Sequence, residues 1–183
     1  MEDQQGRILL RIARHAIQRR FGDKEKFEPI EPWLKKEAAS FVTLTRQGEL
    51  RGCMGSIEPR RPLCEDVRQN ALAAAFGDPR FSPLSREELD DTRIEVSVLS
   101  PIEPLSFSDE ADVLNQLRPG IDGIVFEHGG CRSTFLPQVW ESLPDPGEFL
   151  GHLKRKAGFS ADFWAPDVRL WRYTCRKWKE DRE

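Results

Sequence analysis

No stretch of this 183-residue chain approaches the run of about 20 apolar residues that a membrane-spanning helix needs. The N-terminus, Met1-Glu2-Asp3-Gln4-Gln5, lacks a basic segment followed by an apolar one, so it does not read as a secretory signal. Cysteine is scarce. The four residues at 53, 64, 131 and 175 form no CxxC pair and no zinc-like spacing, and they are too few for a disulfide scaffold of this length. Reduced thiols in a cytoplasmic setting are the expectation. Histidine is scarcer still, at three, with no HExxH or HxxxH pair, so no dedicated metal site is expected. Walker, GxGxxG and GxSxG motifs are missing, which leaves nucleoside triphosphate, dinucleotide and serine-hydrolase readings without support, and no cofactor is implied. An excess of positive charge is also missing. The formal net charge is -3 and the isoelectric point about 5.8, which excludes a protein whose whole surface binds nucleic acid. There is no internal repeat and no low-complexity segment.

What is present fits a globular chain. Hydrophobic residues make up 38% and charged residues 32%. A single domain, or one domain with an added lobe, is expected over residues 1–183, and a chain this long buries roughly 70% of its unfolded surface.

Residues 6–21 place Ile8, Leu9, Ile12, Ala13, Ala16 and Ile17 at helical spacing, with Gly22 as the stop. Residues 23–38 carry Pro29 and Pro32 and read as a linker with short turns at most. Ser40 to Arg46 is rich in β-formers, Gln47-Gly48 reads as a hairpin turn, and Glu49 to Cys53 as the returning strand. That puts Arg51-Gly52-Cys53-Met54-Gly55 at a strand end. A helix follows from Pro62 to Gly77, then a turn at Asp78-Pro79-Arg80-Phe81, then a short helix with Ser85 and Glu88 as a capping box.

Arg93 to Ser100 alternates, with Ile94, Val96 and Val98 on one face and Glu95, Ser97 and Leu99 on the other. Ser108 is read as the cap of a helix to about Leu117. A second hairpin spans 121–128 and 131–136 around Gly129-Gly130. A helix over 148–157 and a strand over 168–174 close the pattern, and the charged tail from about 175 is expected to fray. Hairpins outnumber βαβ units, so the fold class is α+β with a mostly antiparallel sheet flanked by helices.

Leu50-Arg51-Gly52-Cys53-Met54-Gly55 is the segment that suggests chemistry. A thiol between two glycines and beside a guanidinium is a pattern that favours a thiolate on an exposed turn. It also suits a tight turn around a small side chain, and the sequence leaves both open. The hexapeptide resembles the signature of the AMMECR family, also called AmmeMemoRadiSam system protein A. Met54 stands where that family usually has isoleucine, a change that keeps apolar character and approximate volume. Asp78-Pro79-Arg80-Phe81, Ile94-Glu95-Val96-Ser97-Val98-Leu99, Gly123-Ile124, Phe135-Leu136-Pro137-Gln138-Val139 and Lys156-Ala157-Gly158 resemble further family blocks in the same order. The resemblance implies an α+β fold with a larger and a smaller lobe and a cleft between them, lined by the signature segment. It implies a Memo-like protein and a radical SAM protein as partners. It names no reaction.

Three functional readings follow. In the first, a cleft enzyme or modification factor uses Cys53 as nucleophile or redox thiol and Glu95 as acid or base, on an unknown small molecule. Arg51, Gly52, Gly55, Arg80 and Gln138 then form the binding residues, with the two guanidinium groups recognising an anion. In the second, the signature shapes the docking surface of a non-catalytic adaptor. The third, weaker reading is nucleic-acid binding by Trp164, Trp171, Tyr173 and Trp178 among Arg169, Arg172, Arg176 and Lys177. His15 and His152 are expected on solvated helix flanks and His128 at an exposed hairpin end.

Overall fold

The computed structural model describes residues 2–181. In chain order the elements are α1 (Glu2–Arg20), β1 (Ser40–Arg46), β2 (Glu49–Gly55), α2 (Leu63–Phe76), α3 (Arg86–Leu89), β3 (Thr92–Leu99), β4 (Glu103–Pro104), α4 (Glu110–Gln116), β5 (Gly123–His128), β6 (Cys131–Phe135), α5 (Pro146–Lys156), β7 (Arg169–Tyr173) and β8 (Cys175–Lys179). Short 3-10 turns lie at Pro32–Lys35 and Pro137–Glu141. The α+β class expected from the hairpin-rich pattern is the observed one. The chain divides into two compact units, one running to Leu99 and resuming at Arg176, the other Ser100–Cys175.

The first unit is a four-stranded sheet in the order β2-β1-β3-β8. β1 pairs antiparallel with both β2 and β3. Alternation along β1 and β3 sends Val42, Leu44, Ile94 and Val96 to one face, where all four are fully buried. α1 and α2 cover that face with Leu9, Ile12 and Ile17 from one helix and Val67, Ala71 and Ala74 from the other. The β1–β2 turn requires positive φ at both central residues, and Gln47 and Gly48 take 52° and 89°.

The second unit has its own sheet, ordered β4-β7-β5-β6. Its core gathers Ile124, Phe126 and Leu170 from the sheet with Phe149, Leu150 and Leu153 of α5. Trp140 stacks on Phe149 with ring centroids 3.7 Å apart, and its indole N–H donates to the Asp122 carbonyl at 2.7 Å.

Several expectations need correction. The α4 helix is capped by Asp109, whose side chain accepts from the Asp112 N–H at 2.8 Å; Ser108 lies one residue outside. His15 is buried rather than solvated, with Nε2 2.6 Å from the Glu25 carbonyl oxygen. His128 is half-buried against the Phe159 and Phe163 rings. The largest correction concerns the tail. Residues 175–179 form β8, a full strand beside β3.

Charge patterning hid this strand, because Arg176, Lys177 and Lys179 are exposed while Trp178 is partly buried against the core. The Trp178 ring lies where a side chain on Gly6 would stand, 2.2 Å from an ideal Cβ. Just beyond the strand, Glu180 holds Arg14 through Nε at 3.0 Å and accepts from the Ile94 N–H at 2.9 Å. Arg14 in turn reaches the Leu89 and Thr92 carbonyls at 3.0 and 2.7 Å.

A frayed tail would leave stability unchanged when Trp178 is truncated. The docked strand predicts that Trp178→Ala lowers the unfolding free energy by about 2–3 kcal/mol, read as an earlier midpoint in urea.

Candidate functional site

The signature segment is all but the first residue of an edge strand, not a turn at its end. β2 continues through Gly55. Neither Gly52 nor Gly55 has positive φ, so conformational freedom is not what those positions require. Close approach is. A Cβ on Gly52 would stand 2.2 Å from the Ala74 carbonyl oxygen, which is backbone of α2 and cannot move aside. A Cβ on Gly55 would stand 2.2 Å from the Phe41 ring, on the other face of the sheet. One glycine lets a helix close on the strand, and the other lets an aromatic ring lie across it.

An edge strand leaves backbone donors and acceptors unpaired on one side. Here a neighbouring turn takes them up. The Cys53 N–H donates to Asp78 Oδ2 at 2.9 Å, and the Cys53 carbonyl accepts from Arg80 Nη2 at 3.4 Å. Arg80 also grips Asp78 by Nε at 3.0 Å and Nη2 at 2.7 Å. The Asp78 side chain is only 2% exposed, and the Arg80 guanidinium with these backbone donors holds its carboxyl far below the usual carboxylate range. The expected turn at 78–81 is therefore present, and its work is to block the strand edge at Cys53.

Two further carboxylates secure the same strand. Arg51 donates to Glu88 by Nε at 2.9 Å and Nη2 at 2.8 Å, a bidentate pair, and Nη2 also reaches the Ser82 carbonyl at 3.0 Å. Glu88 closes the capping box of α3 as well, accepting from the Ser85 N–H at 2.9 Å. Past the strand's end, the Ser56 hydroxyl donates to Asp66 at 2.8 Å. Asp66 is fully buried in α2 and also accepts from Ser40 N–H and Oγ at 2.8 and 2.6 Å, Asn70 Nδ2 at 2.9 Å and Arg61 Nε at 2.8 Å. A buried carboxylate is tolerated only with such a set of donors.

These pairings correct the chemistry read from the hexapeptide. Arg51 is turned to Glu88 and Arg80 to Asp78, so both guanidinium groups already hold a carboxylate, although Arg80 also lies near enough to Cys53 to interact with it electrostatically. The thiol's one hydrogen-bond contact among the described residues is the Thr43 hydroxyl at 3.4 Å. Register places Cys53 opposite Thr43 and Thr43 opposite Glu95, so the three form one row on the sheet face away from the helices. Cys53 and Glu95 sit two strands apart, about 10 Å between backbones. Glu95 is half-buried and has no hydrogen-bond or ion-pair partner among the described residues. Gln138 belongs to the other unit, exposed on its 3-10 turn.

Asp66 and Thr43 were not singled out by motif reading. The signal for Thr43 was its hairpin register with position 53; Asp66 had none, because an acidic residue in a first helical turn looks like dipole compensation. Two of the four aromatics read as a nucleic-acid platform are packing residues: Tyr173 is buried and Trp178 covers Gly6. Among the described residues no three His, Cys, Asp or Glu side chains gather as a metal site.

Gly52→Ala is expected to destabilise by at least about 2 kcal/mol, because the clash is with backbone. Acid should act through Glu88. Its hydrogen bonds from Arg51 lower the carboxyl from 4.5 to about 2. A depressed folded value means the contribution is complete above the unfolded value and fades as pH falls toward the folded one. Wild-type stability should therefore drop by on the order of 2 kcal/mol between about pH 4.5 and 2, and Glu88→Gln should flatten that part of the curve in urea melts at each pH.

Comparison with known proteins agrees with this architecture. The AMMECR1 family model matches residues 10–178. A protein of Methanothermobacter thermautotrophicus is 41% identical over 182 residues, covering 97% of this chain and 95% of its own. A Methanocaldococcus jannaschii protein is 36% identical over 182 residues, with 97% and 90% covered. The crystal structure of an uncharacterized protein from Pyrococcus horikoshii superposes with a TM-score of 0.87 at 34% identity, covering 97% of this chain and 92% of that one. With the family model spanning nearly the whole chain and the same fold seen in a solved relative, this protein belongs to the AMMECR1 family.

Proposed function

We propose that this chain works as a non-catalytic adaptor, and that the row Cys53, Thr43 and Glu95 is a docking strip for a partner protein. The observation that supports this most is Glu95: a half-buried carboxylate without a partner among the described residues, whereas the carboxylates that secure β2, Asp66, Asp78 and Glu88, are all paired. A carboxylate in that state favours a cationic or N–H donor group from outside. At the Cys53 end of the row, two strands from Glu95, the edge strand is fixed by Asp78, Glu88 and Asp66, so little conformational freedom is lost there when a partner seats. The partners that the sequence resemblance implies are a Memo-like protein and a radical SAM protein.

A second reading is supported by the same row. Cys53 as nucleophile and Glu95 as acid or base would be linked through the Thr43 hydroxyl, with no histidine taking part. The two readings separate cleanly. On the adaptor reading, capture of the chain by the purified Memo-like or radical SAM protein falls at least about tenfold in Glu95→Gln and is retained in Cys53→Ser. Retention in Glu95→Gln, or capture by neither protein, removes the adaptor reading. Loss of cellular function in Cys53→Ser with capture intact puts cysteine chemistry in its place.

A further inference from the structure

The first unit carries a second feature, on the helical side of its sheet and built from residues that the signature does not involve. The segment after α1 folds back beside α1 and α2 and forms one side of an open cavity of about 950 Å³. Its wall is fixed rather than loose. The Glu25 carbonyl oxygen lies 2.6 Å from His15 Nε2, the Glu25 side chain accepts from Arg11 at 2.5 Å, and the Glu25 N–H donates to Asp23 at 2.9 Å. The Arg11 guanidinium also lies 4.2 Å from the centroid of the Phe27 ring, which lines the cavity.

Six basic side chains line this space: Arg19, Arg20, Lys24, Lys26, Lys35 and Arg68. Among the described residues none of the six side chains has an ion-pair or hydrogen-bond partner. Four carboxylates also line it, Asp23, Glu25, Glu28 and Glu65, and all but Glu28 have hydrogen-bond partners. Glu25 holds Arg11, Asp23 accepts from backbone, and Glu65 accepts from Gln69 Nε2 at 2.6 Å. A chain of net charge -3 thus has a cavity of opposite sign. Two of the cations, Arg19 and Arg20, suit the C-terminal end of α1 and its dipole on structural grounds alone. That account does not reach Arg68, which is half-buried in the middle of α2. The Arg68 guanidinium sits close enough to Cys64 to offset part of the rise that burial imposes on that thiol. A half-buried guanidinium without a carboxylate is unfavourable unless an anion completes it. Phe27, Leu34 and Leu72 supply an apolar wall in the same cavity.

From this lining and size we infer that the cavity between α1, α2 and the segment 23–35 binds a phosphorylated ligand of nucleotide size, with Arg68 as its principal anion contact. The volume suits a whole small molecule, since such sites run to about 300–1,000 Å³. The cations take the phosphate and the apolar wall takes the remainder. The inference is independent of the docking strip, which lies on the other face of the sheet.

Calorimetric titration of the full chain with ADP and with inorganic pyrophosphate at low salt tests it. The expected result is saturable ADP binding, tighter than pyrophosphate, that weakens at least about tenfold in Arg68→Gln and falls as salt is raised. Cys53→Ser should bind ADP as the wild type does. Should Arg68→Gln melt early, Lys35→Gln replaces it, with a smaller loss expected. No saturable binding, or unchanged affinity in a folded Arg68→Gln or Lys35→Gln variant, overturns the site. Pyrophosphate binding as tightly as ADP overturns the nucleotide-sized class.

Discussion

Three acidic side chains hold one edge strand, and the rest of the first unit is arranged around that restraint. Glu88 takes the guanidinium at the start of the signature, Asp78 takes the backbone at its centre, and Asp66 takes the hydroxyl just past its end. Each comes from a different element: α3, the turn after α2, and α2 itself. Edge strands are normally the weakest part of a sheet and the most prone to pairing with other chains. This one has its outward backbone groups at Cys53 already occupied. The glycines on either side complete the arrangement by letting α2 and Phe41 come close.

The same restraint explains why the hexapeptide looks reactive when read alone. A guanidinium next to a thiol in sequence does not define what the guanidinium touches. The β1–β2 register shifts at Arg51, which interrupts the alternation between it and Cys53, and the arginine reaches Glu88 with two nitrogens. The chemistry of the segment is set by groups remote in sequence, at separations of 37 residues for Glu88 and 25 for Asp78.

Much of the fold was legible because its signals are local. Alternation in residues 93–100 identified β3 and the face on which Glu95 lies. The Gln47-Gly48 turn fixed the hairpin, and with it the pairing that sets Thr43 against Cys53. Ser85 and Glu88 announced a capping box, although the second duty of Glu88 toward Arg51 was invisible. What failed was non-local. The tail from 175 looked like solvated charge because Trp178 is its sole large apolar anchor against α1, and the partner at that contact is Gly6, which carries no pattern. His15 was judged by its place on a helical wheel, whereas its burial comes from a segment folding back after Gly22. The candidate site was legible in part: Cys53 and Glu95 do share a row, Arg51 and Arg80 are structural clamps, and Gln138 belongs to the other unit.

The strand β8 carries a consequence for how the chain is made. Its neighbour in the sheet is β3, so the whole second unit is an excursion that leaves after Leu99 and returns before Arg176. The two crossing points are tied together, with the Ser100 N–H donating to the Thr174 carbonyl at 2.8 Å and the Thr174 N–H to the Ser100 hydroxyl at 2.9 Å. During synthesis the excursion therefore emerges complete while the sheet that began first still lacks its fourth strand. The sheet bearing the signature gains its fourth strand only once β8 has followed the whole inserted unit out.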